Sequence, residues 1–155
     1  MNAEKTDLVL TIAAEDCRFG EPEVKFGSGI VALLLPWLAG PKAAKFLLLT
    51  GEDRVSAAEA AAMGLVNRVV PAAALLEEAI AVAGRIAAND AQAVRLTKKA
   101  INQAEDLQGL RAGMDSVFGL HHFAHAHNAE AGADSLGGHD ARSMRDARQE
   151  GESTS

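Results

Sequence analysis

Ser56-Ala57-Ala58-Glu59, followed by Gly64, sets the start and the stop of one short helix and so constrains the elements on either side of it. A serine hydroxyl and a glutamate carboxylate three residues apart satisfy each other's free backbone amides at a helix start, and glycine takes the left-handed turn that ends one. Beyond Gly64, the run Val66 to Val70 is short, rich in valine and stopped by Pro71, so a strand follows the helix directly. Upstream, the pattern from Ile30 onward is helical and is divided into two segments by Pro36 and Pro41, because proline lacks an amide donor and clashes with the preceding turn. Leu8 to Ile12 reads as a buried strand, and residues 18–29, with Gly20, Pro22, Gly27 and Gly29, as a shaped loop.

Downstream, Leu75, Leu76, Ala79, Ile80, Ala83, Ile86 and Ala87 recur at helical spacing and form one apolar face. A second helix starts with Asp90 as its N-cap and carries Val94, Ile101, Ala104 and Leu107 inward; a third runs from Leu110 to about His127. The tail from Glu130 to Ser155 is rich in Gly, Asp, Ser and Arg and should be mobile or weakly docked, with Asp140 to Gln149 having the composition of a charged helix. No internal repeat is visible.

A chain of 155 residues falls in the single-domain range and is long enough to bury a core. Its net charge of −6 argues against a general nucleic-acid-binding surface, so an anionic ligand needs a local basic patch. Cys17 is the only cysteine, which excludes an intramolecular disulfide framework and fits a reducing cytoplasmic setting. The start, Met1 to Asp7, carries no basic leader. The apolar run Ile30 to Ala39 is broken by Pro36 and falls far below the ~18 residues of a membrane span, so a soluble protein is expected.

The segment Phe19-Gly20-Glu21-Pro22-Glu23-Val24, then Leu49-Thr50-Gly51-Glu52-Asp53, then Ala57 through Gly64 to Pro71, has an order and spacing that resemble the enoyl-CoA hydratase/isomerase (crotonase) superfamily. The resemblance covers roughly residues 10 to 105. It implies an α/β fold, the C-terminal part of a crotonase-like spiral ββα architecture, mostly helical and followed by a helical trimerisation region. The implied divisions are 1–71 for the core, 72–128 for the helical oligomerisation region and 129–155 for the tail. It also implies an acyl-CoA thioester substrate, no cofactor beyond the coenzyme A carried by that substrate, and a homo-oligomer, trimer or dimer of trimers.

Glu23, immediately after proline, matches a glutamate that in these hydratases works with a second glutamate on the water added across the α,β double bond. The chemistry is sensible: one carboxylate activates water while another delivers a proton to the α-carbon, each contributing ~10²–10⁴-fold. Read without the resemblance, Glu23 is a solvated loop carboxylate. Glu21 lies two residues away, on the opposite side of a segment read as extended, and receives no catalytic role. Phe26, Gly27 and Gly29 match the wall around the reacting acyl group, although two of them are also simple turn glycines. The loop after Gly29 is a few residues shorter than the family's Gly-Ile-Pro-Gly-like loop, which leaves hydrolysis, decarboxylation and dehalogenation of a CoA thioester open beside hydration.

The family's oxyanion-binding amides, worth about 2.7–4 kcal/mol each in comparable sites, and its first catalytic glutamate are expected upstream of the matching segment. Neither Glu4 nor its surroundings reproduce them. A chain of this extent is therefore expected to be inactive alone, the alternative being a non-catalytic subunit or interaction protein. Lys98 and Lys99 match late-helix positions bordering the CoA site, or are simply a solvated pair. His121 and His125, four apart, have a spacing that could bind zinc or nickel, but without cysteine or a His-Glu-x-x-His pattern no metal is assigned. The cluster His121 to His127 reads as a surface or subunit-contact patch. Trp37 reads as a packing residue against a neighbouring helix or subunit.

Overall fold

The computed structural model of the chain describes residues 10–26 and 34–130. The elements run in the order β1 (Ile12–Ala14), β2 (Arg18–Phe19), a 3₁₀ turn (Pro22–Phe26), α1 (Leu35–Leu38), α2 (Gly40–Thr50), β3 (Val55–Ser56), α3 (Ala57–Ala62), β4 (Arg68–Val70), a short 3₁₀ turn (Ala72–Ala74), α4 (Leu75–Ala87), α5 (Ala91–Leu107) and α6 (Leu110–Glu130). Of the anticipated buried strand Leu8 to Ile12, Leu8 and Val9 lie outside the described residues, Leu10 is exposed and not in a strand, and the observed strand begins only at Ile12. Two buried alanines, Ala13 and Ala14, complete it, and their small side chains carry little strand signal of their own.

Two small sheets tie the first part of the chain together. β1 pairs in parallel with β4, in the register Ile12↔Arg68, Ala13↔Val69, Ala14↔Val70. Asn67 extends this ladder: its amide donates to the Thr11 carbonyl at 2.9 Å, and its side-chain oxygen accepts from the Thr11 amide at 2.8 Å. β2 pairs antiparallel with β3, Arg18 opposite Ser56 and Phe19 opposite Val55.

Cap chemistry sets the helix ends. The Ser56 hydroxyl accepts from the Glu59 amide at 3.2 Å while the Glu59 carboxylate accepts from the Ser56 amide at 2.9 Å, so the capping box is complete. At the other end Gly64 adopts φ +85°, its amide donates to the Ala61 carbonyl and the Leu65 amide to the Ala60 carbonyl, both orphan carbonyls being satisfied by the reversal. Pro36 and Pro41 each sit in the first turn of a helix, α1 and α2, where a missing amide costs nothing. Asp90 caps α5 by accepting from the Ala93 amide at 2.8 Å.

Ala13, Leu47, Val55, Ala57, Ala60 and Val66 form the core, with Phe19, Leu35, Met63 and Val69 packed against it. Ala57 and Ala60 are wholly buried, so α3 lies close enough to its neighbours that nothing larger than a methyl fits on that face. Trp37 of α1 packs against the start of α6: a Cβ on Gly113 would lie 3.3 Å from its indole and one on Gly109 3.8 Å. The expected contact of Trp37 with a neighbouring helix is therefore present, and two glycines make room for it.

The apolar face of α5, expected to point inward, is largely exposed, and so is that of α4. Leu76 is 72% exposed, Ile80 63% and Leu107 89%. Helical periodicity says that a face is apolar, not what covers it, and among the described residues α4 meets only β1 and the preceding turn with any substance, α5 only α6. Among the described residues no helix is long and apolar enough to cross a membrane.

Candidate active site

The site begins at a backbone contact. Gly20 approaches Glu52 and Asp53 so closely that a Cβ there would lie 2.1 Å from the Asp53 Cα and 2.7 Å from the Glu52 carbonyl oxygen. The neighbouring Glu21 amide donates to that same carbonyl at 2.9 Å. Glu52 is itself placed by the end of α2, where Gly51 turns left-handed at φ +63° and the Glu52 amide donates back to the Leu47 carbonyl. A side chain on Gly51 would meet Lys25 and Val24, so the 3₁₀ turn rests directly on the end of α2. The Phe19-to-Val24 and Leu49-to-Asp53 motifs, separate in sequence, are thus one structural unit.

Pro22, with its fixed φ, opens a 3₁₀ turn in place of an extended segment. This corrects the expectation that Glu21 and Glu23 point to opposite sides: the turn brings the two carboxyl groups into hydrogen-bonding range of each other. The Glu21 carboxyl is pushed up to about 7, first by burial, then by its hydrogen bond to Glu23 and by the Glu23 negative charge. Glu23 is half-buried, and its Oε2 is fully enclosed with no hydrogen-bond donor among the described residues. As two ionised carboxylates the pair can only accept, and one added proton turns their contact into a hydrogen bond.

The other expected residues are distributed as follows. Phe26 is the last residue of the 3₁₀ turn that carries Glu23. Gly27 and Gly29 lie outside the described residues, as does Glu4. Lys98 and Lys99 stand exposed on α5, which packs on α6, while the Glu23 turn packs on α2; nothing in this packing brings the lysines to the glutamate pair. His121 and His125 stack edge to face with ring centroids 4.5 Å apart, and Phe118 meets His122 in the same manner at 4.6 Å. Among the described residues no group of three or more His, Cys, Asp and Glu is placed to hold a metal ion. The sequence signal for this arrangement of Glu21 and Glu23 is Pro22, a residue that opens helical turns readily.

Comparison with known proteins gives this arrangement a context. The sequence pattern of the enoyl-CoA hydratase/isomerase family matches residues 5–136. A crotonyl-CoA hydratase from Syntrophomonas wolfei is 46% identical over 114 residues, covering 70% of this chain and 41% of that protein. The EchA13 protein of Mycobacterium tuberculosis is 39% identical over 123 residues, covering 78% of this chain and 38% of its own length. A crystal structure of an enoyl-CoA hydratase/isomerase from Xanthobacter autotrophicus Py2 superposes with a TM-score of 0.71 at 49% identity, covering 74% of this chain and 43% of that one. The chain thus spans about two fifths of the length of these relatives. Its mostly helical α/β build is that of the C-terminal part of the crotonase fold. The chain belongs to the enoyl-CoA hydratase/isomerase family of the crotonase superfamily.

Proposed function

We propose that this chain contributes the water-handling carboxylate, Glu23, to an acyl-CoA-processing enzyme that hydrates an enoyl-CoA thioester. The observation that carries the reading is the enclosed Glu23 Oε2, which no backbone amide, arginine or lysine among the described residues engages. A carboxylate kept for structure is normally tied down by donors, since an enclosed oxygen without one costs about 1–3 kcal/mol. A carboxylate that must exchange a proton with water cannot be tied down in that way. In the reaction a water oxygen adds to the β-carbon as its proton passes to carboxylate, and the α-carbon receives a proton. The negative charge that develops on the thioester oxygen calls for two amide donors; on this reading they come from further polypeptide, and the 155-residue chain alone is inactive.

On this reading Phe26, Gly27 and Gly29 border the acyl group, Lys98 and Lys99 face the CoA moiety, and no cofactor is needed beyond the CoA of the substrate. Residues 1–71 belong to the core, 72–128 to an oligomerisation region and 129–155 to a tail, and the protein works in the cytoplasm. The bare apolar faces of α4 and α5 support the assembly part of the proposal, a homo-oligomer of trimer or dimer-of-trimers type, because patches of that kind mark interfaces. They favour equally a second reading, a non-catalytic subunit of such an assembly. Isomerase or lyase chemistry and other CoA-thioester reactions are separated by substrate assay.

The test is hydration of crotonyl-CoA by a fusion of these residues to the upstream half of the Xanthobacter relative, beside the chain alone. Glu23→Gln should lower fusion turnover by ~10²-fold or more with the fold intact. Unchanged turnover in that variant would sink the hydratase role of Glu23, and Glu23-dependent turnover by the chain alone would sink the need for further polypeptide.

A further inference from the structure

We propose that Glu21 is a positioning residue for Glu23: in its protonated form it donates the hydrogen bond between the two carboxyls and holds the Glu23 carboxylate in place for the reacting water. The inference rests on Glu23 being the carboxylate of the reaction proposed above.

Three features carry it. The Glu21 backbone has no freedom to withdraw, because Gly20 is jammed against Asp53 and the Glu21 amide is bonded to Glu52. The 3₁₀ turn from Pro22 then places Glu23 within hydrogen-bonding range of the Glu21 carboxyl. Finally, Glu23 Oε2 is enclosed and has no hydrogen-bond partner among the described residues. Two carboxylates pressed together at a pinned backbone repel, whereas an acid and a carboxylate attract. An ionised carboxylate has about four acceptor sites, so one bond from Glu21 leaves room for a water.

The other charged groups around the pair are accounted for. Lys25, on the same turn, lays its aliphatic stem over Gly51. The Glu52 carboxylate is folded back on its own loop, accepting from the amides of Asp53 and Arg54. Asp53 and Arg54 follow on that loop, Lys42 and Lys45 lie on α2, and Arg18 on β2 is turned to the carbonyls of Asp16 and Cys17. Burial agrees with the assignment of the proton to Glu21, whose carboxyl is pushed up to about 7. As pH rises through that value the donor is lost and a second negative charge appears beside Glu23.

The experiment has two parts. Carbon-13 carboxyl titration of the 155-residue chain, which needs no activity, should show a glutamate with a midpoint near 7 that vanishes in Glu21→Gln and moves down in Glu23→Gln. A midpoint unmoved by Glu23→Gln, or no glutamate titrating above the ordinary range, would overturn the pairing. In the fusion, Glu21→Gln retains an amide donor at every pH, so kcat should stay within a few-fold and the decline of kcat above neutral pH should disappear. Glu21→Leu has no donor and should lower kcat roughly tenfold with little change in KM; a wild-type kcat there would refute positioning. An active Glu23→Gln fusion would instead remove the catalytic reading, while the titration would still decide whether the two carboxyls share a proton.

Discussion

Gly20 and Asp53 meet backbone to backbone, with no room for even one carbon between the Gly20 Cα and the Asp53 Cα. Because the obstacle is main chain, no rotamer change can relieve it. Gly20→Ala should therefore destabilise the chain by ~1–3 kcal/mol as an overpacked substitution. It should also push Glu21 off the Glu52 carbonyl. Denaturant unfolding of the variant checks the first effect; an unchanged midpoint would show that the loop yields freely.

The two perturbed carboxylates pull the pH dependence of stability in opposite directions. Glu21 has a raised value, so between about 4.5 and about 7 the folded state binds more proton than the unfolded state. Its contribution is full below that window and is lost as pH rises through about 7. Unfolding midpoints should accordingly fall as pH rises from about 4.5 to about 7 and level off above it, and Glu21→Gln should flatten that slope. A slope identical in the variant would assign it to another group.

Glu59 behaves conversely. Its carboxyl is held below the ordinary range by the Ser56 hydroxyl, by the Ser56 amide and by the charge of Arg18, so its contribution is present above about 4.5 and fades as pH falls further. Ser56→Ala removes the helix cap and should cost ~1 kcal/mol at neutral pH. The loss should shrink in acid, where Glu59 is protonated in folded and unfolded chains alike. Thermal melts at neutral and acid pH measure both numbers, and an equal penalty at the two would dissociate the carboxylate from the cap.

The histidine cluster packs on itself and on Phe118, and no third ligand stands beside His121 and His125 among the described residues. Elemental analysis of protein purified without chelator or metal resin should find no stoichiometric zinc, nickel or iron. A tightly held equivalent that disappears in both His121→Ala and His125→Ala would show that a ligand completes the site from elsewhere.

What could be read in the sequence was the chemistry of local ends. Ser56 with Glu59, Gly64 and Asp90 each mark a boundary through bonds to residues within four or five positions, and those boundaries stand where expected. The two-residue strands β2 and β3 were hidden, because Arg18 and Ser56 become strand residues only by facing each other. The side of Glu21 is hidden for the same kind of reason: its position relative to Glu23 depends on whether Pro22 opens a turn or continues a strand, and the packing of that turn on Gly51 decides it. The apolar stripes of α4 and α5 are legible in the spacing of their residues, yet what covers them is not encoded there.

The hydrogen bonds between Thr11 and Asn67 join positions 56 residues apart, so β1 and β4 close a large loop around everything from the glutamate turn to α3. Closing such a loop is entropically costly and comes late, whereas α5 and α6 form from near neighbours. Folding should proceed from the helical end toward the site, with the parallel pair as the slow step. In the folded molecule the same closure works in reverse: amides of α5 and α6 can exchange through local opening, while those of β1, β4 and the enclosed segment exchange only when the ring itself comes undone.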